Sequence, residues 1–492
     1  MRKFAIFLAF LLLTAACGNS SSPTTNETTK PTTASPGPTT SVESEDSVTP
    51  TTAAPTATAT PTTTTAAPAT TATPATTAPP TTTTAAPATT TPPTTTTLPP
   101  PNFEVPENFD AFSNQHQAAF RAAVDIEFTA LPDRAGMVAA VFAGDTLWTY
   151  ALGEASATVP MTVGTPTLIY STSKTIESAV ILALVEEGHF QLTDSLESVL
   201  SAHPDYSLLD QTKINVAVTV HELLSMRSGI RNYLAGASDS PDLLRVVNKP
   251  SWKPTDTLGL IQEPWVEPGE YEYSDSNNYL LGMVAELHSG KDLSVLYRER
   301  FFNPLDIAAV LLPDEPVPEG TARPHGDLAD FGGAGFGDMI EWDAIQYGYT
   351  PKVWHEQDAR LAWATASIVS TPANIARWGY ELYSSNGSAI SEQSRSILLN
   401  SFEDELVSFG GQPHYYGYWI AKRSLQLDDG TWLPTIGHKG GGPGYVSQLL
   451  YSPDLDLSIS VLANQGMRYQ GSCNNYDPLT CIAWAIFNAY AP

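Results

Sequence analysis

Four groups of residues in this 492-residue chain could do chemistry. Ser171-Thr172-Ser173-Lys174 is the only S-x-x-K in the sequence. Three residues apart at a helix start, Ser171 and Lys174 share one face. The Ser would meet unpaired backbone N–H groups and the positive end of the dipole there, which suits a serine nucleophile attacking a carbonyl. Taken alone, the motif is equally a capping Ser and a solvated Lys. Tyr273-Ser274-Asp275 lies between turn signals and a helical pattern, in EPGEYEYSDSNNYLLG, where a Tyr is more often a wall residue than a catalyst. Gly437-His438-Lys439-Gly440-Gly441-Gly442-Pro443-Gly444 is glycine-rich but lacks the Walker spacing, so a tight turn competes with a site strand. Cys473 and Cys481 are spaced to close a small loop as a disulfide. With no His beside them they make a poor zinc site. No metal and no cofactor is implied.

The elements that must position these residues follow from periodicity. Phe109, Phe112, His116, Ala119, Phe120 and Ala123 predict a helix over about 108–127. Met137–Ala143 and Thr146–Leu152, split by Gly144-Asp145, read as a hairpin. Thr172–Glu187 reads as a helix stopped by Gly188. Val220–Ser225 and Tyr279–Leu287 are further helical patterns, and Leu449–Tyr451 and Leu457–Ala463 read as strands. Asp477-Pro478 starts a last helix with a buried face of Leu479, Ile482, Ala483, Ile486, Phe487 and Tyr490. Residues 313–365, rich in Gly, Pro and aromatics without clear period, read as loops. The expected class is α+β: one antiparallel sheet built from both ends of the chain and flanked by terminal helices, with an inserted, mostly helical region.

The first hundred residues are of another kind. Arg2-Lys3, the apolar run Phe4–Thr14 and Ala15-Ala16-Cys17 read as a secretory signal over 1–16, too short to span a bilayer. Small residues before Cys17 resemble a bacterial lipoprotein signal, with Cys17 becoming the acylated N-terminus. The alternative is an ordinary signal with an incidental Cys. Residues 17–101 are dominated by Thr, Pro, Ala and Ser, with PTTTTAAPATT at both Pro61–Thr71 and Pro80–Thr90. Such a tract cannot offset the entropy of ordering and makes a spacer. Its reach lies between roughly 50 Å as a coil and about 260 Å as stretched polyproline II. The expected address is the outer face of the bacterial cytoplasmic membrane, and three Cys in all agree with export.

Residues 102–492 are enough for one sizeable core. Lys and Arg total 24 against 52 Asp and Glu, and nearly all of the net charge of -28 falls in this part. A polyanion of this kind will not bind nucleic-acid phosphates or anionic lipid headgroups by charge. The remaining contact with a membrane is the N-terminal lipid.

The three motifs, in this order, resemble the serine beta-lactamase and DD-peptidase superfamily, in its beta-lactamase-related branch of class C beta-lactamases, D-alanyl-D-alanine carboxypeptidases and esterases. LVEEGHFQLTDSL, HELLSMRSGI, FFNPLDI and SIVSTPANIARW add to the likeness across Val138–Ala463. The resemblance implies Ser171 as the acylated nucleophile, Lys174 as its partner and Tyr273 as the proton-exchanging Tyr. It implies Asp275, His438 and Gly440 against substrate, and backbone N–H groups of Ser171 and Gly441 as the oxyanion hole. Strand alternation puts His438 and Gly440 on one face and Lys439 on the other. Class C beta-lactamases carry Lys where His438 stands, and the second motif usually ends in Asn rather than Asp275, which replaces a donor by an acceptor. The expected activity is a D-alanyl-D-alanine carboxypeptidase-like serine hydrolase on peptidoglycan stem peptides, with Asp275 beside Lys174 and His438 partly charged at neutral pH. An esterase or amidase on small molecules and a non-catalytic wall-peptide receptor are the alternatives.

Overall fold

The computed structural model describes residues 99–131, 134–235, 241–325, 354–442, 444–466, 469–473 and 476–492. The signal segment, Cys17 and the Thr/Pro-rich tract up to residue 98 lie outside the described residues, as do residues 326–353 and Pro443.

Alternating apolar residues at the two ends of the chain pair to make the centre of a nine-stranded antiparallel sheet. The strands are β1 (Gly136–Ala143), β2 (Thr146–Ser156), β3 (Val159–Pro160), β7 (Leu406–Phe409), β8 (Gln412–Tyr416), β9 (Ala421–Gln426), β10 (Trp432–Gly442), β11 (Tyr445–Ser452) and β12 (Leu457–Ala463). Their order is β3-β2-β1-β12-β11-β10-β9-β8-β7. Val138 pairs with Leu462, so the first and last long strands lie side by side. β1 turns into β2 through Gly144-Asp145, with Ala143 opposite Thr146.

β1 is buried on both faces because helices cover both. Met137, Ala139 and Val141, with Ile459 and Val461 of β12, pack under the terminal helices Asn114–Ala130 and Pro478–Tyr490, through Phe120, Val124, Ile482, Ile486 and Phe487. Ala140, Phe142, Leu449 and Leu462 face the larger helical layer. The helix Pro372–Tyr383 reaches this face closely, since a Cβ on Gly379 would lie 2.6 Å from both Leu449 Cδ1 and Ser458 Oγ. The Cys473–Cys481 disulfide is formed and ties the loop before the last helix to its first turn. Asp477 caps that helix, accepting from Thr480 N–H at 3.2 Å.

Two expectations are corrected. The first helix begins at Asn114, not near 108. Ser113 caps it, while Asp110 exchanges backbone hydrogen bonds with the hairpin, receiving Leu147 N–H at 3.0 Å. Phe109 and Phe112 therefore lie on an extended lead-in, edge-on to Phe142 and Phe120. Residues Trp354–Ala366, read as loop, are helical. Trp363 sits at φ +22° within that helix, and the break destroys the regular period a sequence reading needs. The sequence did not reveal a small sheet of β4 (Thr167–Leu168), β6 (Ile368–Ser370) and β5 (Ala309–Leu311), whose first strand leads into the Tyr170–Ser173 turn. Strands of two or three residues carry no readable alternation.

Glu177 is wholly buried between the helices Lys174–Glu186 and Ser276–Ser289. Its Oε2 accepts from Asn278 Nδ2 at 2.7 Å, and Oε1 has no partner. Burial pushes this carboxyl well above its ordinary 4.5, against the pull of the Asn278 bond and the Lys174 charge. A raised folded value means the native state holds the proton. Stability is then fully present below about pH 4 to 5 and is lost as pH rises through the folded value. Glu177→Gln should match wild type near pH 5 and exceed it at pH 9, by on the order of one to a few kcal/mol. Thermal melts at the two pH values check this; a constant difference between the two proteins would contradict it.

Candidate active site

Ser171 stands in a tight 3-10 turn, Tyr170–Ser173, that runs straight into the helix Lys174–Glu186. Tyr170 enters the turn at φ +47°, a conformation a bulky residue adopts only under tertiary constraint. That turn brings the two ends of the S-x-x-K together, with Lys174 Nζ 3.0 Å from Ser171 Oγ. Lys174 is wholly buried and Ser171 nearly so.

A buried ammonium needs a counter-charge and acceptors. Asp275, just before the helix Ser276–Ser289, supplies the charge through Oδ1 at 2.7 Å. Thr365 supplies its carbonyl at 3.0 Å and its hydroxyl oxygen at 2.6 Å. The Thr365 hydroxyl in turn donates to Asp275 Oδ1 at 2.7 Å. Asn232 Nδ2 donates to Asp275 Oδ2 at 3.3 Å. Asp275 therefore points at Lys174, as expected, rather than away from the site. Tyr273 presents its ring to the same ammonium, 5.1 Å from centroid to Nζ, and packs against Phe409, Tyr416 and His438.

The third motif lies on β10. Its inner half pairs with β9 only up to Gly437 opposite Ala421, while pairing with β11 continues to Gly442. Residues 438–442 thus run beyond β9, alongside the Ser171 turn. Thr172 Oγ1 donates to His438 O at 3.4 Å across this seam. A Cβ on Gly440 would lie 2.1 Å from Ile169 O and 3.0 Å from Ser171 N, so only glycine allows the Ser171 backbone to sit there. Gly441 follows, half-buried, and a Cβ there would find space. Lys439 turns to the opposite face and pairs with Asp477 at 2.9 Å, as alternation requires.

His438 departs from expectation in its charge. It is wholly buried, its Nδ1–H donates to Lys439 O at 2.8 Å, and its Nε2 accepts from the Tyr416 hydroxyl at 2.9 Å. Burial, then the Lys174 charge, hold it well below 6.5. It is neutral at physiological pH, with both nitrogens committed to protein, and cannot act as a cation toward substrate. Sequence reasoning also missed Thr365, Asn232 and Tyr416. Thr365 lies beyond a helix break and the others in segments without a motif, so no local signal marked them.

With this geometry in hand, the likenesses are specific. The family model described as Beta-lactamase matches residues 124–476. A D-aminopeptidase of Brucella anthropi is 28% identical over 232 residues, which is 42% of this chain and 41% of that protein. The chain thus matches about two fifths of that relative's length. The D-amino acid amidase from Ochrobactrum anthropi SV3 shares the fold at TM-score 0.57 and 19% identity, over 76% of this chain and 98% of that one. A D-stereospecific amidohydrolase from Streptomyces sp. does so at TM-score 0.54 and 21% identity, with the same coverage.

The close approach at Gly440 gives a direct test. Gly440→Ala should keep the sheet but push the Ser171 backbone aside, lowering kcat/KM on any turned-over ester by about a hundredfold. Circular dichroism and ester kinetics check this, and near wild-type kinetics would contradict it.

Proposed function

Because the chain belongs to the Beta-lactamase family, we propose that it is a serine hydrolase cleaving amide or ester bonds at the carbonyl of a D-configured residue, through an acyl-enzyme on Ser171. The observation that carries this reading is Lys174 Nζ held 3.0 Å from Ser171 Oγ by a buried ion pair. Ser171 Oγ attacks the carbonyl carbon, and its proton passes to the phenolate form of Tyr273, which the adjacent Lys174 ammonium would stabilise. Charge on the carbonyl oxygen develops in front of the Ser171 and Gly441 N–H groups. Tyr273 returns the proton to the leaving amine or alcohol. Water then attacks the ester carbonyl, giving a proton to the Tyr273 phenolate, and the acyl–Oγ bond breaks as Tyr273 passes that proton to Ser171 Oγ.

Charge decides the substrate class. Among the described residues, the cation touching Ser171 is Lys174, and Asp275 neutralises it. His438 is neutral. A substrate's terminal carboxylate, as on D-Ala-D-Ala, would find no partner in this cluster and would meet the Asp275 charge. This favours amides, esters and peptides cut after a D-residue with no free carboxylate beside the scissile bond, over the carboxypeptidase reading. The D-specific aminopeptidase and amidases among the relatives agree in kind.

Purified Asn102–Pro492 should hydrolyse D-alanine p-nitroanilide at least tenfold faster, in kcat/KM, than it releases D-Ala from an acetylated D-Ala-D-Ala peptide. Ser171→Ala should lower both at least a thousandfold. Nitrocefin turnover should stay below about 10 per second, a typical enzymatic rate. Faster release of D-Ala than of nitroaniline would restore the carboxypeptidase reading.

The address belongs to the same proposal. Cys17 would anchor the domain by lipid outside the cytoplasmic membrane, and the Cys473–Cys481 disulfide supports an oxidising compartment. Cys17→Ser should move the protein from the membrane pellet to the medium, and an unchanged pellet fraction would refute lipidation.

A further inference from the structure

We infer that Thr365 is a positioning residue of the acyl-transfer machinery, its hydroxyl bridging Lys174 and Asp275 so that Lys174 is held as an ammonium aimed at Ser171. The inference rests on Ser171 being the nucleophile. The oxygens near Lys174 Nζ include Thr365 Oγ1 at 2.6 Å, Asp275 Oδ1 at 2.7 Å, and Ser171 Oγ and Thr365 O at 3.0 Å each. An ammonium has three N–H donors and no acceptor. The Asp275 carboxylate only accepts. The hydroxyl of Thr365 is the group able to do both, accepting from Lys174 and donating to Asp275 Oδ1 at 2.7 Å. It thereby fixes the direction of every hydrogen bond in the triangle. Lys174 thus donates toward Thr365 and Asp275, and also toward Ser171 Oγ and Thr365 O. Ser171 then receives from Lys174 rather than giving its proton to it.

Asp275 stands where the related motif usually has Asn, and both its oxygens accept: Oδ1 from Thr365 and Lys174, and Oδ2 from Asn232 Nδ2 at 3.3 Å. A carboxylate here needs donors on Oδ1, and Thr365 and Lys174 provide two. Thr365 is itself 1% exposed, so no solvent can take over when its hydroxyl is removed. Its side chain reaches the site because the chain breaks from helical geometry at Trp363, two residues earlier.

The test is the rate at which a fluorophosphonate labels Ser171, followed by mass spectrometry from pH 6 to 10, with nitrophenyl ester turnover beside it. Thr365→Val keeps shape and backbone carbonyl but loses the hydroxyl. It should label at least tenfold more slowly, lower kcat more than it changes KM, and move the alkaline limb of the profile to lower pH, because the ammonium has lost an acceptor. Thr365→Ser should restore most of the rate and the wild-type limb. Asp275→Asn combined with Thr365→Val should cost less than the product of the two single effects, since both break one network. Equal labelling of wild type and Thr365→Val with the same pH limb would overturn the inference. So would Thr365→Ser labelling as slowly as Thr365→Val, since restoring the hydroxyl would then recover nothing. Wild type labelled at a residue other than Ser171 would instead remove the acyl-enzyme reading, and the role of Thr365 with it.

Discussion

The buried pair between Lys174 and Asp275 is the constraint on which the site depends. Removing two charges from water costs several kcal/mol per ion, returned only when geometry and further hydrogen bonds are right. The structure meets that demand by facing two helix starts at each other, one carrying Lys174 and one preceded by Asp275. One turn further along both helices, Glu177 meets Asn278. The two contacts form successive rungs between the same helices, ionic above and neutral below. A second full charge at the lower rung would have no partner, which is why Glu177 keeps its proton.

The sheet contributes by what it leaves unpaired. Because β9 stops pairing at Gly437, the outer end of β10 is free to run beside the Ser171 turn. Glycine at 440 removes the side chain that would hold the two backbones apart. From behind, Lys439 and Asp477 tie the strand to the start of the last helix, and the disulfide holds that start in place. Position along the strand is thus set from the face opposite His438.

Much of this was legible in the sequence, and the reasons differ by residue. Ser171, Lys174, Tyr273 and His438 lie in short, ordered motifs, and strand alternation placed His438 and Lys439 on opposite faces. The hairpin at Gly144-Asp145, β12 and the Asp477 cap followed from period and capping chemistry. The charge of His438 was not legible, because burial and its two partners are properties of the folded site. Thr365 was hidden for another reason. Its partners are 191 and 90 residues away in the chain, and its own helix is broken by Trp363.

The pairing of β1 with β12 also sets the order in which the molecule can be completed. During synthesis β1 and β2 emerge early, yet Val138 must wait for Leu462 before its second edge is closed. Until then a strand apolar on both faces has one partner and an open edge, the kind of surface that invites mispairing. The central sheet is therefore a late, long-range event, slow by topology. A chain interrupted anywhere before the last strands would carry its whole Ser171 segment and still lack both the strand beside Ser171 and the centre of its own core, so the Ser171 cluster closes only once the last strands are in place.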